Sequence, residues 1–320
     1  MSKKILVTGC AGFIGSNLTN KLVLQGHSVT GIDNLSFGFL DNLKEIENKS
    51  NFKFINHDIS NPIELPEFDE IYNLACPASP IAHSKAPFDA WRASTFGIYN
   101  MLEVARKNPE CLFFHTSTSE VYGDPEVNPQ PESYRGNVDC TGARACYKES
   151  KRAGESLIFD YHRYHNTKVR VIRIFNTYGP KMSPNDGRVV STFITQALSN
   201  KDITIHGEGN QTRSFQYIDD LLLGMDKMMH NNINFIGPVN LGNPSEFKIK
   251  ELAELVLKLI PDSKSKIIYV PEAPDDARLR KPDISLAKEK LDWEPKVNLV
   301  DGLKKTIEYL KLSDLSKLIK

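Results

Sequence analysis

The sequence predicts an α/β protein built on a doubly wound, mostly parallel β-sheet. Short apolar runs of strand length alternate with helical segments through the first 180 residues, and this alternation is typical of repeated βαβ units. The first run, Lys4–Thr8, is followed by a glycine-rich turn and then by a helical segment at 16–25. With 320 residues, the chain is long enough for one large α/β unit or for two lobes.

The bulk composition argues against several classes of partner. The 40 Lys and Arg residues balance 40 Asp and Glu residues, so no global charge favours nucleic acid or an anionic membrane. The N-terminus runs directly into a strand pattern without a signal peptide, and no apolar stretch is long enough to span a bilayer. The five cysteines lack CxxC spacing, which predicts reduced thiols and no metal site: Cys10, Cys76, Cys111, Cys140 and Cys146. We therefore expect a cytoplasmic protein without a metal ion, a nucleic-acid partner or a membrane partner.

The glycine-rich turn predicts a dinucleotide-binding site. Gly9 permits the tight turn, Gly12 lets the backbone approach a pyrophosphate, and Gly15 lets the helix pack closely on the strand. The phosphates would bind at the helix N-terminus, where free N–H groups and the helix dipole favour anions. The spacing is GxxGxxG, and a glycine turn without a ligand is the alternative. This context of strand, turn and helix predicts a Rossmann-type sheet.

An acidic residue ends the second predicted strand, Ser28–Asp33. Asp33 follows Gly15 by 18 residues, and its carboxylate could accept hydrogen bonds from the adenosine ribose hydroxyls and repel a 2′-phosphate. It therefore favours NAD over NADP, although a capping role at the start of the next loop is the alternative. Further elements are predicted as strands at 52–55, 70–75 and 111–117, and as a long amphipathic helix at 88–106.

Polar residues follow the strand predicted at 111–117. Thr118 and Ser119 lie at the carboxyl end of a parallel strand, where ligands bind in open α/β sheets, so either hydroxyl could contact a substrate hydroxyl. A solvated loop is the alternative for this segment. Residues 124–146 form a long loop with Pro and Gly, and loops of this length are usually functional lids or disordered.

Tyr147 and Lys151 are the leading candidates for catalysis. They are four residues apart in a helix predicted at 147–163, so their side chains project from the same face. The lysine ammonium is expected to lower the pKa of the phenol by favouring its ionised form, and a phenolate can take a proton from an alcohol. A surface helix with a snorkelling lysine is the alternative, because this spacing alone is common.

The regular alternation of strands and helices loosens after Pro180, which predicts a second lobe. Elements are predicted as strands at 168–175, 203–206, 238–241 and 266–270, and as helices at 188–199, 219–230, 249–259 and 300–318. This interleaving implies a smaller C-terminal α/β substrate lobe assembled from separate segments. We assign residues 1–180 to the dinucleotide-binding domain, with 213–243 returning to it, and 181–212 and 244–320 to the substrate lobe.

Together these motifs resemble the extended short-chain dehydrogenase/reductase superfamily and, within it, the UDP-glucuronic acid decarboxylase family. The wider likeness rests on TGCAGFIG at 8–15, on Asp33, and on Tyr147 with Lys151. The narrower likeness rests on NLACPASP (73–80), TSEVYGDP (118–125), IFNTYGP (174–180), DGRVVSTFI (186–194), QTRSFQYIDD (211–220) and RKPDI (280–284). The resemblance implies NAD as cofactor, UDP-glucuronate as substrate, and a homodimer that pairs the helices around 88–107 and 147–165.

The resemblance also carries roles onto matching positions. Tyr147 would be the base, Lys151 its electrostatic partner, and either strand-end hydroxyl would contact the sugar. Glu120 and Arg280 would serve the sugar carboxylate and the decarboxylation step, although a surface pair of Arg280 with Asp275 or Asp276 is the alternative. The substrate would be bound by Asn176, Arg188, Val189, His206, Arg213 and Arg280. The cofactor would be bound by Gly9, Gly12, Phe13, Ile14, Gly15, Asp33, Asn34, Asp58, Ile59, Ala75, Tyr147 and Lys151.

The implied reaction begins when Tyr147 removes the proton from the 4-hydroxyl of glucuronate while the hydride of carbon 4 passes to NAD. The resulting β-keto acid loses CO2, the enolate is protonated, and the hydride is returned. A nucleotide-sugar 4,6-dehydratase is one alternative, but its motif usually carries Asp where this chain has Ser119. A 4-epimerase, which usually lacks Glu120 in this motif, and a non-catalytic NAD-binding protein on the same fold are the others.

The sequence departs from the family pattern around the catalytic helix. The family usually reads Tyr-Asp-Glu-Gly-Lys where this chain has Tyr-Lys-Glu-Ser-Lys, so Lys148 replaces an acid. The lid usually carries Pro-Ile-Gly-Pro-Arg, where this chain has Cys-Thr-Gly-Ala-Arg at 140–144. His206 stands where a tyrosine usually ends the short strand, and Leu-Ser-Phe-Gly at 35–38 replaces the usual Phe-Phe-Thr-Gly.

Overall fold

The central feature of the fold is a sheet of seven parallel strands. A computed structural model describes residues 2–271 and 280–313. The strands in that part of the chain are β1 (Lys4–Thr8), β2 (Ser28–Asp33), β3 (Phe52–Asn56), β4 (Glu70–Asn73), β5 (Leu112–Thr118), β6 (Lys168–Ile174), β7 (Thr177–Tyr178), β8 (Ile203–His206), β9 (Thr212–Ser214), β10 (Gln216–Tyr217), β11 (Val239–Leu241), β12 (Glu246–Lys248) and β13 (Ile267–Val270). The seven-stranded sheet has the order β11-β6-β5-β4-β1-β2-β3.

The strand order reverses beside β1. Strands β2 and β3 extend the sheet to one side of β1, whereas β4, β5 and β6 extend it to the other. This is the switch point of a doubly wound sheet, and it confirms the predicted Rossmann-type fold class. The carboxyl ends of the strands on the two sides of the switch point diverge there and leave a crevice in which ligands bind.

Helices flank the sheet. They are α1 (Phe13–Leu24), α2 (Pro80–Lys85), α3 (Pro87–Arg92), α4 (Ile98–Arg106), α5 (Ala145–His165), α6 (Val189–Leu198), α7 (Ile218–Met229), α8 (Ile249–Leu259), α9 (Ser285–Leu291) and α10 (Leu299–Leu312). Alternate strand residues enter two different core clusters: Ile5 and Val7 pack with α1 and α7, whereas Leu6 packs with α4 and α5. Both faces of the sheet are therefore covered, as its apolar strands require.

Most predicted elements are present, and two differences affect the cleft. Helix α1 begins at Phe13 and not at residue 16, because the turn ends at Gly12, which has extended backbone angles as the N-cap. The single helix predicted at 88–106 is divided by a π-helical turn at Ala93–Gly97. Such turns are rare and occur frequently at functional sites, and here the turn carries Ser94, whose hydroxyl oxygen lies 3.2 Å from the Cys76 sulfur.

Helix α2 was not predicted, because the sequence around it reads as a proline-rich turn. Pro80 occupies its first turn, where a missing N–H costs nothing, and the Ser79 hydroxyl accepts a hydrogen bond from the Ala82 amide. Helix α9 and the short strands β7 and β12 were also not predicted, whereas residues 213–217, predicted as extended, contribute to β9 and β10. Residues 314–318 of the last predicted helix lie outside the described residues.

Smaller sheets lie beside the central one. They pair β8 with β13, β9 with β12, and β7 with β10. Strand β11 joins β6 in the central sheet, which confirms the last main-sheet strand predicted at 238–241. The division of the chain into two domains stays a prediction. Within the described residues, no helix combines the length and the apolarity needed to cross a bilayer.

Candidate active site

A single cleft of about 1030 Å³ runs along the carboxyl ends of the central strands. Every residue that we assigned to the cofactor, the substrate or catalysis lines this cleft, from Gly9 at one end to His206 and Arg213 at the other. The cleft thus brings together residues that are up to 271 positions apart in the sequence, between Gly9 and Arg280. Their individual roles stay predictions.

The glycine turn at one end of the cleft has no room for side chains. Gly9 has a φ of +70°, which favours glycine, and a Cβ on Gly15 would lie 1.9 Å from the Gly9 carbonyl oxygen. Helix α1 has no side-chain cap at Gly12 and no acid in its first turn. Its first amide groups therefore lack side-chain acceptors and can bind an anion.

Asp33 is fixed next to this turn. Its two carboxylate oxygens accept hydrogen bonds from the amides of Ala11, at 3.0 Å, and Leu35, at 2.8 Å. Gly38 closes over the carboxylate, since a Cβ there would lie 2.9 Å from each of its oxygens. Asp58 lies in the same part of the cleft; burial raises its pKa, but hydrogen bonds from Ser60 and Asn34 outweigh that effect and lower it overall. This end of the cleft holds two carboxylates in place.

Tyr147 and Lys151 are both buried on the face of α5 that borders the cleft. The Lys151 ammonium donates a hydrogen bond of 2.9 Å to the Thr116 carbonyl oxygen. Burial raises the pKa of the Tyr147 phenol well above its ordinary value, and the Thr118 hydroxyl and Arg188 oppose that rise. Removal of the phenolate from water has the largest effect, so the net pKa is raised. The lowering effect of Lys151 stays a prediction.

His83 stacks on Tyr147, which the sequence did not reveal. The two rings are 5.2 Å apart between centroids and only 10° from parallel. His83 is 2% exposed, and burial, assisted by the charge of Arg144, lowers its pKa to about 4. The imidazole is therefore neutral near neutral pH and fixes the plane of the Tyr147 ring. Its position in the unpredicted helix α2 explains why no local pattern pointed to it.

Glu120 and Arg280 meet in the cleft, although they come from distant segments. A distance of 3.4 Å separates the Arg280 Nη1 from the Glu120 Oε1, and Arg280 is only 6% exposed. The guanidinium also donates to the Ser119 hydroxyl at 3.4 Å and to the Gly123 carbonyl oxygen at 3.3 Å. Burial raises the pKa of Glu120, but Arg280 and neighbouring cations lower it below its ordinary value.

The long loop after β5 positions the Arg280 segment. Gln130, in the long loop after β5, accepts a hydrogen bond from the Lys281 amide at 2.9 Å and donates its own amide hydrogen to the Lys281 carbonyl oxygen at 2.9 Å. The Asp283 amide donates to the Gln130 carbonyl oxygen at 3.0 Å. Asp275 and Asp276, the alternative partners for Arg280, lie outside the described residues.

The predicted substrate residues occupy the other half of the cleft. Arg188 forms an ion pair of 2.8 Å with Asp186 and donates to the Ala78 carbonyl oxygen at 3.0 Å. Its charge opposes the rise that burial causes in the pKa of Tyr147, and its predicted contact with UDP stays a prediction. Exposed His206 has a ring nitrogen 3.0 Å from the Pro271 carbonyl oxygen. Asn176, Val189 and Arg213 line the same region.

Two further features were missed. Arg144 lines the cleft one helical turn before Tyr147, and this i, i+3 spacing was the signal that could have identified it. Below the cleft, Arg173 forms two hydrogen bonds, of 3.0 and 2.7 Å, with Glu155 of α5. No group of three or more metal-ligating side chains occurs in the part of the chain that the structure describes.

Comparison with known proteins shows the family. Residues 6–306 match the family model described as GDP-mannose 4,6 dehydratase. The chain is 49% identical to UDP-glucuronic acid decarboxylase 1 from Danio rerio, over 96% of this chain and 72% of that protein. It is 50% identical to UDP-glucuronic acid decarboxylase 3 from Arabidopsis thaliana, over 94% of this chain and 86% of that protein.

Solved structures of related enzymes share the fold. UDP-glucuronic acid 4-epimerase from Bacillus cereus, in complex with UDP-glucuronic acid and NAD, superposes with a TM-score of 0.85 at 30% identity, covering 96% of this chain and 99% of that chain. dTDP-glucose 4,6-dehydratase from Bacillus anthracis, in complex with NAD, gives 0.84 at 25% identity, covering 98% of both chains. This chain therefore belongs to the UDP-glucuronic acid decarboxylase family of the extended short-chain dehydrogenase/reductase superfamily.

Proposed function

We propose that the protein is a UDP-glucuronate decarboxylase that converts UDP-glucuronate to UDP-xylose through a UDP-4-keto sugar, with NAD recycled. One observation carries this function: the buried pair Tyr147 and Lys151 shares a cleft with half-buried Glu120 and its buried partner Arg280. The first pair suits proton removal from an alcohol, and the second places a guanidinium where it can bind the carboxylate of the sugar. The names of the relatives support the same substrate.

The cleft fits NAD. The glycine turn leaves room for a pyrophosphate against the N-terminus of α1, and Asp33 offers a fixed carboxylate to a ribose. Asn34, Asp58, Ile59 and Ala75 line the cleft between this turn and Tyr147. When bound, NAD supplies a hydride acceptor and a positive charge on its nicotinamide ring. The NAD complexes of the two solved relatives support this cofactor.

The residues of the chain supply the proton transfers. Tyr147 takes the proton of the sugar 4-hydroxyl, and the Thr118 and Ser119 hydroxyls at the end of β5 orient the sugar. Once carbon 4 is a carbonyl, it can accept the electrons that the departing carboxylate leaves behind. Glu120, held by Arg280, lies where it can position the sugar or a water molecule for protonation of carbon 5.

Product analysis tests this function. Purified protein is incubated with UDP-glucuronate, and the expected result is release of CO2 with formation of UDP-xylose, identified by mass spectrometry. Formation of UDP-galacturonate without CO2 would instead indicate a 4-epimerase, such as the relative from Bacillus cereus. Loss of water would indicate a 4,6-dehydratase, and either result would overturn the proposal.

The cofactor identity is a separate prediction. Because the Asp33 carboxylate would repel a 2′-phosphate, denatured protein is expected to release NAD or NADH in near-stoichiometric amount. The released nucleotide is identified by chromatography against NAD and NADP standards. Recovery of NADP would contradict the role of Asp33.

We also propose that the protein is a cytoplasmic homodimer. Five large side chains on or around α3, α4 and α5 are exposed: Phe88, Trp91, Phe96, Tyr99 and Tyr164. An apolar surface of this kind typically packs against a partner, and these helices are the ones that the family resemblance pairs. The five cysteines, all within the described residues, are free thiols, which suits a reducing compartment.

The dimer is expected to dissociate when this surface is made acidic. Phe96→Glu places a charge on a side chain that is 62% exposed, so the monomer fold should survive while pairing is lost. Leu24→Glu, at a 65% exposed position on α1, is the matched control. Sedimentation equilibrium measures the mass; a Phe96→Glu protein that stays dimeric would rule out this surface.

A further inference from the structure

We infer that Arg144 and Lys148 form a second cationic arm of the sugar site, which binds the carboxylate of the substrate and favours uronates over neutral hexoses. This inference rests on the proposed function and names two residues that contact the substrate in addition to Arg280. The class of ligand is a sugar carboxylate attached to a nucleoside diphosphate.

The two cations occupy one face of the helix that carries the base. Arg144 is the N-cap residue of α5, Tyr147 follows it by three residues and Lys148 by four. Residues at i, i+3 and i+4 lie on the same side of a helix. All three side chains line the cleft, together with Glu120 and Arg280.

Both cations differ from the other basic side chains beside Tyr147. Arg280 is paired with Glu120 and Arg188 with Asp186, and the Lys151 ammonium donates a hydrogen bond to the Thr116 carbonyl oxygen. Within residues 2–271 and 280–313, neither Arg144 nor Lys148 forms an ion pair. The Nε of Arg144 is also buried without a hydrogen-bond partner. A buried donor of a charged group is costly without an acceptor, and a bound carboxylate would supply one.

Arg144 and Lys148 lie at the N-terminal end of α5, where positive charges are unfavourable. The N-terminus of a helix carries a partial positive charge, so it stabilises acids and destabilises cations. Helix α5 has no acid in its first turn, and two cations at i, i+4 repel each other there. The helix dipole and the two side chains all favour an anion at one place beside Tyr147.

The field of the two cations reaches the sugar end of the cleft. Burial raises the pKa of Glu120, and Arg280, Arg144 and Lys148 lower it; the last two also hold His83 in its neutral form. The remaining acid near this arm is Asp139, which is exposed and already accepts hydrogen bonds from Thr141. The Thr141 hydrogen bonds lower the pKa of Asp139 and the charge of Lys148 adds to that effect, but the described residues contain no ion pair between Asp139 and either cation.

A comparison of three ligands tests the inference. Calorimetry measures the affinity for UDP-glucuronate, UDP-glucose and UDP on the NAD-containing protein with Tyr147→Phe, so that turnover during the titration is small. Lys148→Gln is expected to lower the affinity for UDP-glucuronate about tenfold, the usual loss for a hydrogen bond to a charged group. The affinities for UDP-glucose and UDP should fall by less than about twofold. Lys148→Arg should restore the selectivity, and Arg144→Lys should retain part of it.

A control separates a local contact from net charge. Lys304→Gln removes the same charge from an exposed position on α10, outside the cleft, and should leave all three affinities unchanged. If Lys148→Gln lowers the affinity for UDP as much as the affinity for UDP-glucuronate, the two cations bind the diphosphate and the inference is wrong. If neither Lys148→Gln nor Arg144→Lys alters the ratio between UDP-glucuronate and UDP-glucose, the inference is also overturned.

The outcome is independent of the proposed reaction. Loss of selectivity in Lys148→Gln would support a uronate site even if the wild-type protein released no CO2. Release of CO2 by the wild type, with selectivity unchanged in the variants, would leave the reaction intact and remove only the role of this arm.

Discussion

Replacement of Tyr147 by phenylalanine is expected to lower kcat by about 10²–10⁴-fold, the range for loss of a general base. The hydroxyl is the only group that this substitution removes. The phenyl ring can still stack on His83, and α5 keeps the same buried face, so the fold and the bound cofactor should be retained.

The measurement is the steady-state rate of CO2 release, together with the nicotinamide content after denaturation. Tyr269→Phe is the matched control, because it removes a phenol at a position on β13 that is 52% exposed and belongs neither to the cleft nor to the proposed dimer surface. Near-normal turnover in Tyr147→Phe would exclude Tyr147 as the base.

The pH dependence of the wild-type rate is a second test of the role of Tyr147. Burial is the main cause that raises the pKa of Tyr147, and the thiol of Cys76 acts in the same direction. A base acts only when it has lost its proton, so the active fraction grows as pH rises toward the raised pKa. The wild-type rate of oxidation at carbon 4 is therefore expected to increase with pH, whereas the phenylalanine variant should lack that increase.

Local spacing was sufficient for the parts of the site that a single turn or helix builds. The glycine turn and Asp33 belong to consecutive elements, β1, α1 and β2, so their separation in sequence already fixes their separation in space. Tyr147 and Lys151 are on one helix face, and both are buried beside the cleft as the spacing predicted. The seven-stranded sheet followed from the alternation of apolar runs with helices.

Local spacing failed where distant segments meet. His83 stacks on Tyr147 from a short helix that prolines concealed, and no periodicity relates residue 83 to residue 147. The hydrogen-bond partner of the Lys151 ammonium could not be predicted either, because the Thr116 carbonyl oxygen that accepts from it belongs to β5. Tertiary contacts, which sequence patterns do not encode directly, decide both features.

The arrangement of Arg280 leads to the prediction that separates the two halves of the reaction. Its guanidinium reaches three acceptors at once, on Glu120, Ser119 and Gly123, at 3.3 to 3.4 Å. A lysine ammonium is a compact charge that cannot span such a set. Loss of CO2 requires the breaking bond to align with the carbonyl π system, and small misplacements of reacting groups are costly.

Arg280→Lys is therefore expected to allow oxidation at carbon 4 but to slow loss of CO2 by on the order of 10²-fold, as misplacement of a reacting group can. Glu120→Gln should act in the same direction, since it removes the carboxylate that orients Arg280. Single-turnover experiments follow NADH absorbance and CO2 separately, and the expected signature is NADH that accumulates while CO2 lags.

The exposed pair of Arg163 with Asp160 on α5 provides the matched control. Arg163→Lys makes the same chemical change where the pair is solvated, so both phases should keep their wild-type rates. Thermal unfolding of Glu120→Gln checks that the buried guanidinium, left without its partner, has not simply unfolded the second half of the cleft.

If Arg280→Lys and Glu120→Gln both release CO2 at the wild-type rate from a folded protein, these two residues do not serve decarboxylation, whatever the result for Tyr147. If oxidation is slowed as much as CO2 release, the pair positions the whole sugar and not the carboxylate alone.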